Sequence, residues 1–191
     1  KKTILINKII FNKMHDLEKI KKIFIEGKYI KVIKLLKEII SSDKNNLEAV
    51  YLLALSLEKN LNFDESIKMY NQLLKKDRNT LVYDRLGEIH IKINNFKLAK
   101  NYFIKSLKIN NSNPITLNNL GIVLAQLGQE TKSINYFDKA IKFNNEYIDP
   151  IYNLLEIYEK TNKLKKFKEL VLGELHNMYY KILLTFILIT F

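Results

Sequence analysis

The stretch TLNNLGIVLAQLGQ, residues 116–129, sets a glycine between apolar residues in the middle of a helical pattern. At such a place Gly121 costs about 1 kcal/mol relative to alanine, so its presence needs a reason. The surroundings supply one at fixed distances. Gly87, in YDRLGEIHIKINNFKLAKNYF, lies 34 residues before it, and Leu155, in IYNLLEIYEKTNKLKKFKELV, lies 34 after it. Tyr83, Leu86, Gly87 and His90 correspond to Leu117, Leu120, Gly121 and Leu124, and Ala99 and Phe103 to Ser133 and Phe137. Val50, Leu53, Ala54, Leu57, Ser66 and Tyr70 form an earlier copy, offset by 33. Ile20, Ile23, Val32 and Leu36 form a looser first copy, offset by 34. A period of this length marks a repeat architecture.

Within each copy, apolar residues recur at i, i+3/i+4 and i+7, twice, around a short polar break. The breaks are EGK at 26–28, KNLN at 59–62, INN at 93–95, LGQE at 127–130 and TNK at 161–163. Each copy therefore reads as a helix hairpin. Small residues fall in two columns, Ala54, Gly87 and Gly121 on the first helix and Ser66, Ala99 and Ser133 on the second. Small side chains let two helix backbones approach, and the facing aromatics Tyr70, Phe103 and Phe137 fill the space beside them. A glycine that returns at the repeat period is a packing contact rather than a kink.

This pattern resembles the tetratricopeptide repeat, a 34-residue helix–turn–helix unit with the same large/Leu/Gly/aromatic and Ala/aromatic spacing. The resemblance implies an all-α, right-handed helix–turn–helix solenoid of about five repeats. The units run over 13–46, 47–79, 80–113, 114–147 and 148–181, with a segment 1–12 packing on or preceding the first repeat and an apolar tail 182–191. The first and last units are degenerate: Lys19 and Ile20 stand where Leu and Gly are typical, and Phe167 where Ala is typical. Ends of a stacked array lack one neighbour, which fits weak terminal units. The proline that usually closes a unit is replaced by DKNN, DRN, NNSN and FNNE. Asparagine is a fair substitute, expected to end one helix in left-handed geometry and to cap the next.

The composition narrows the function. The chain carries a net charge of +12 with 32 Lys and Arg, only Arg78 and Arg85 being arginine. Residues 1–46 hold 12 Lys against 5 acids, and residues 80–113 hold 6 Lys and Arg against 2. Bidentate recognition of phosphates or bases prefers Arg, so the lysines read as solvated faces and nucleic acid is not the expected partner. There is no cysteine, hence no thiolate zinc site, disulfide or cysteine nucleophile. His15, His90 and His176 lie in different units, and His90 sits in a core column with Leu57, Leu124 and Tyr158, where a buried, hydrogen-bonded ring is expected. No phosphate loop, nucleophile elbow or carboxylate pair appears. We expect no enzyme activity, no cofactor and no metal.

The resemblance implies a concave face lined by the first helix of each unit. It would take Leu17, Lys21 and Phe24 from the first unit, Tyr51, Leu52 and Leu55 from the second, and Asp84, Arg85 and Glu88 from the third. The fourth would add Asn118, Asn119, Ile122 and Gln126, and the fifth Tyr152, Asn153 and Glu156. Asn119 and Asn153 are 34 apart, with Arg85 in the same place one unit earlier. This is similar to the asparagine ladder of the O-linked N-acetylglucosamine transferases, whose carboxamides hold an extended peptide backbone. Tyr51, Leu52 and Leu55 form an apolar patch, either a binding anchor or a seat for Ile4–Phe11. The lysine and asparagine clamp that similar repeat domains use to hold acidic chaperone tails is not expected, because Tyr51, Leu55, Asp84 and Glu88 stand in its places.

The expected function is a protein–protein interaction scaffold that binds a peptide or partner helix in its groove. Two rivals remain. One is a Lys-rich polyanion binder using Lys19, Lys21, Lys22, Lys28, Lys31, Lys34 and Lys37; the other is a subunit of a membrane-associated assembly. The second would use YKILLTFILITF, 180–191, which is too short to cross a bilayer. The first reading of this tail is packing on the last repeat or on another protomer, ahead of a membrane anchor cut short or other peripheral attachment, and of a reading-frame artefact. The chain begins at Lys1 rather than Met, so an initiator or longer leader is expected ahead of it, and KKTILINKIIF makes a poor signal peptide. The compartment stays open between cytoplasm and membrane surface.

Overall fold

In the computed structural model, residues 16–162 and Lys165 are described. The expectations on segment 1–12, His15, Phe167, His176 and the tail lie outside them. All described elements are α-helices: α1 (16–25), α2 (Tyr29–Ser42), α3 (Leu47–Lys59), α4 (Phe63–Leu74), α5 (Thr80–Lys92), α6 (Phe96–Ile109), α7 (Pro114–Gln126), α8 (Glu130–Phe143) and α9 (Asp149–Lys160). α1 to α8 pair as four hairpins of the tetratricopeptide type, α1 to α4 in one compact unit and α5 to α8 in the other, and α9 follows them. The chain divides into two compact units, one through Arg78 and one from Asn79.

The hairpins turn at one recurring backbone position. Gly27, Leu61, Asn94, Gly128 and Asn162 all have positive φ, between 56° and 76°, and stand 33 or 34 residues apart. Each sits in one of the polar breaks and ends the first helix in left-handed geometry. Glycine and asparagine enter that region readily, whereas leucine does so at a cost of about 1–2 kcal/mol. The left-handed residue thus lies inside the hairpin and not between hairpins. None of the asparagines in the closing stretches takes the left-handed geometry expected there; Asn110 and Asn144, at the helix ends, are extended, with φ of −132° and −148°.

The capping half of the asparagine expectation holds. Asn46 accepts from the Ala49 amide, Asn79 from those of Leu81 and Val82, and Asn113 from those of Ile115 and Thr116. Each satisfies amides that the first turn of a helix leaves without partners. Asn95 does the same for Leu98 inside the third hairpin.

The two kinds of helix differ in burial. In the first unit α3 packs against both α2 and α4; in the second α7 packs against both α6 and α8. A helix with neighbours on two sides is buried nearly all round, and Thr116, Leu117, Asn118, Leu120, Gly121, Val123 and Leu124 are all buried on α7. The second helices α4, α6 and α8 bury one stripe only.

The glycine column is a packing contact. A Cβ at Gly121 would stand 2.5 Å from the Phe137 ring, and one at Gly87 2.5 Å from the Phe103 ring, distances no real Cβ tolerates. The second column completes the joint: Ser133 Oγ donates to the Gly121 carbonyl at 2.7 Å, and Ser66 Oγ to the Ala54 carbonyl at 2.8 Å. In the second hairpin the aromatic is Tyr70, fully buried, and its hydroxyl donates to Glu58 Oε2 at 3.2 Å. Glu58 is itself buried. The third hairpin has Phe103 and Ile91 in these two places, so the polar pair arrives and leaves together.

Candidate functional site

In the second unit the first helices α5, α7 and α9 are successive neighbours. Between α7, α8 and α9 a cleft of about 200 Å³ opens, lined by Ile122, Gln126, Glu130, Asn153, Glu156 and Lys160 among others. Four of these were expected on the groove from sequence: Ile122, Gln126, Asn153 and Glu156. Glu156 is ion-paired with Lys160 one turn on. Tyr152 is exposed and Asn119 half-buried. On α5, Arg85 Nη1 pairs with Glu88 Oε2 at 3.0 Å, both half-buried.

Asn118 corrects the expected groove. It is 3% exposed and serves as a buried junction: its amide donates to Tyr147 Oη at 3.1 Å and its carbonyl accepts from Asn153 Nδ2 at 2.9 Å. It therefore fixes α9 and the loop before it, and cannot meet a partner. Asn153 spends one donor in the same junction, so the two rungs of the expected ladder are unequal. The Asn119 side chain makes no hydrogen bond among the described residues. Sequence reasoning missed Tyr147, whose hydroxyl is pushed up to about 12, first by burial and then by the Asp149 carboxylate. No spacing pointed to it.

Asp84 occupies the place of Asn118 one repeat earlier and is likewise half structural. Its Oδ2 accepts from Thr116 Oγ1, on α7, at 2.9 Å. Burial raises its carboxyl above the ordinary value, against the Thr116 hydrogen bond that lowers it. His90 is buried as expected, but its Nδ1 has no hydrogen-bond partner. The ring stacks on Tyr102 instead, centroids 5.4 Å apart and planes at 6°, and burial lowers its pKa.

In the first unit Tyr51 and Leu55 are half-buried, and Tyr51 meets the buried Tyr70 edge-on at 6.0 Å. Leu52 departs from the expectation: it is 8% exposed and packs in the core with Leu17, Ile20 and Leu53. Leu17 is core for the same reason, lying where α1 meets α3. Lys21 bridges Glu18 and Glu48, each at 2.7 Å, and Phe24 leans on Tyr29 at 5.3 Å. Among the described residues no helix is long and apolar enough to cross a membrane, and no three His, Cys, Asp or Glu gather to hold a metal.

Repeated helix hairpins, each closed by its small-residue columns, with first helices side by side in the second unit, define a helical-repeat scaffold. The tetratricopeptide repeat family matches residues 24–89, 81–113 and 115–147, and the chain belongs to it. Such repeats mediate protein–protein interaction, and the fold is generally a non-enzymatic scaffold. In three dimensions the chain resembles MamA. A crystal structure of MamA is 20% identical with a TM-score of 0.71, over 78% of this chain and 91% of that one. MamA 41-end from Desulfovibrio magneticus RS-1 is 20% identical with a TM-score of 0.75, over 82% and 89%. A further MamA crystal structure is 18% identical with a TM-score of 0.73, over 82% and 86%. At such identity the likeness is one of fold. No curated protein matches the chain by sequence.

Proposed function

We propose that the chain binds an extended segment of a partner protein on the first-helix surface of its second unit. The supporting observation is the α7–α8–α9 cleft, where Ile122, Gln126, Asn153 and Glu156 converge on one opening. Ile122 supplies an apolar floor, and Gln126 and Asn119 supply carboxamides that can both donate to and accept from a peptide backbone. The first helices α5, α7 and α9 carry Asp84, Glu88, Asp149, Glu156 and Glu159 against Arg85, Lys92 and Lys160. That acidic excess favours a segment bearing Lys or Arg. Tyr51 and Leu55 in the first unit are a separate half-buried apolar contact of the kind aromatic anchors provide.

A random dodecapeptide library selected on the full chain tests this reading. Selected peptides should be enriched in basic residues, and Ile122→Arg with Gln126→Ala should weaken them by about tenfold or more. Asn153→Ala is unsuitable as a groove probe, because it also removes a bond from the buried Asn118. Peptides that bind the Ile122→Arg, Gln126→Ala chain as tightly as the parent would end the proposal.

A further inference from the structure

The charge of the second unit is sorted by helix. Its first helices carry five acids against three bases, while its second helices, α6 and α8, carry seven lysines against two acids. A compositional excess of lysine would load both sets alike. The lysines also fall in a repeated stripe. On α6, Leu98, Tyr102, Lys105 and Ile109 follow the spacing i, i+4, i+7, i+11, which places them on one helix face. On α8, Lys132, Tyr136, Lys139 and Phe143 follow the same spacing 34 residues later.

The geometry repeats with the sequence. Lys105 Nζ lies 5.2 Å from the Tyr102 ring centroid, and Lys139 Nζ 5.2 Å from that of Tyr136. Each tyrosine is half-buried, so it positions an ammonium group rather than offering a face for stacking. At the end of each stripe an apolar side chain stands in solvent: Ile109 is 51% exposed and Phe143 55%. Lys108 adds a further exposed cation beside Ile109.

We infer that this α6/α8 face docks on the surface of an anionic lipid bilayer. Lys105, Lys108 and Lys139 meet the headgroup charge, and Ile109 and Phe143 enter the boundary below it. Lysine is a compact point charge suited to a diffuse negative field, and each lysine brought near such a surface strengthens partition by about fivefold. Apolar side chains beside a cationic helix face add insertion to attraction. A nucleic-acid backbone would use the lysines but would leave Ile109 and Phe143 without a role, which favours the bilayer.

Sedimentation of the full chain with vesicles tests the inference. Vesicles of phosphatidylcholine with phosphatidylserine should carry the chain down, vesicles of phosphatidylcholine alone should carry less, and added salt should release it. Lys105→Glu, Lys108→Glu and Lys139→Glu together should weaken partition by about a hundredfold, and Ile109→Ser with Phe143→Ser by about tenfold. Lys31→Glu, Lys34→Glu and Lys37→Glu on α2 make the same change in net charge and should leave partition within about threefold of the parent. Far-UV circular dichroism checks the helices of each variant. The inference is overturned if the α2 variant loses as much as the α6/α8 variant, or if the Ile109→Ser, Phe143→Ser chain partitions like the parent. It is equally overturned if phosphatidylserine makes no difference, or if short duplex DNA binds more tightly than the vesicles and ignores the serine substitutions.

Discussion

A methyl group at residue 121 measures how closely α7 and α8 approach. Alanine is the better helix former by about 1 kcal/mol, yet its Cβ would lie 2.5 Å from the Phe137 ring. That ring is 1% exposed and has nowhere to retreat without moving α8, and overpacking of this kind typically costs about 1–3 kcal/mol. Gly121→Ala should therefore lower stability by about 1 kcal/mol, read as a lower denaturation midpoint in urea. Asp84 offers a pH signature. Its raised pKa means that the folded chain holds the proton more tightly than the unfolded one, so the carboxylate costs stability once pH exceeds its ordinary value of 3.8. Asp84→Asn, the residue found one repeat later at Asn118, should raise the melting temperature at pH 7. The gain should shrink as pH falls and the parent's own carboxyl protonates.

At the scale of the element, the hairpin turn and the hairpin joint each carry one exception. Four of the five left-handed positions hold Gly or Asn; the fifth holds Leu61, 72% exposed with φ of 63°. Leu61→Gly gives up little burial and relieves the left-handed strain, at some cost in unfolded-chain entropy. A net gain of about 0.5–1 kcal/mol is expected in thermal or urea denaturation. In the second hairpin, Tyr70→Phe removes a hydrogen bond from the buried Glu58 carboxylate and should cost about 1–2 kcal/mol. Adding Glu58→Ile recreates the pairing of Phe103 with Ile91 and should recover most of the loss. The hairpins themselves were legible because Gly87, Gly121, Ala99 and Ser133 recur at the repeat period. The turn column was hidden by Leu61, a residue type with no left-handed preference, and Glu58 by its ordinary place in a helix sequence. The left-handed asparagines expected in the closing stretches are absent because asparagine permits several conformations, and residue type alone does not choose among them.

At the scale of the whole molecule, the repeat period was legible and the detailed lining of the groove was not. Helical spacing placed Ile122, Gln126, Asn153 and Glu156 on one face, and they do line one cleft. The same spacing could not separate Leu52 and Asn118, which neighbouring helices cover, from Leu55 and Asn119, which they leave half open. Burial at those positions depends on the packing of adjacent repeats, which a single helix pattern does not encode. The sorting of charge onto first and second helices was also missed, because counts over residues 80–113 mixed α5 with α6. Hydrogen exchange of the full chain with and without a library-selected peptide tests the central claim most directly. Binding on the first-helix surface predicts slowed exchange in α7 and α9, with α6 little changed. Slowing confined to α6 and α8, or absent from α7 and α9, would contradict it.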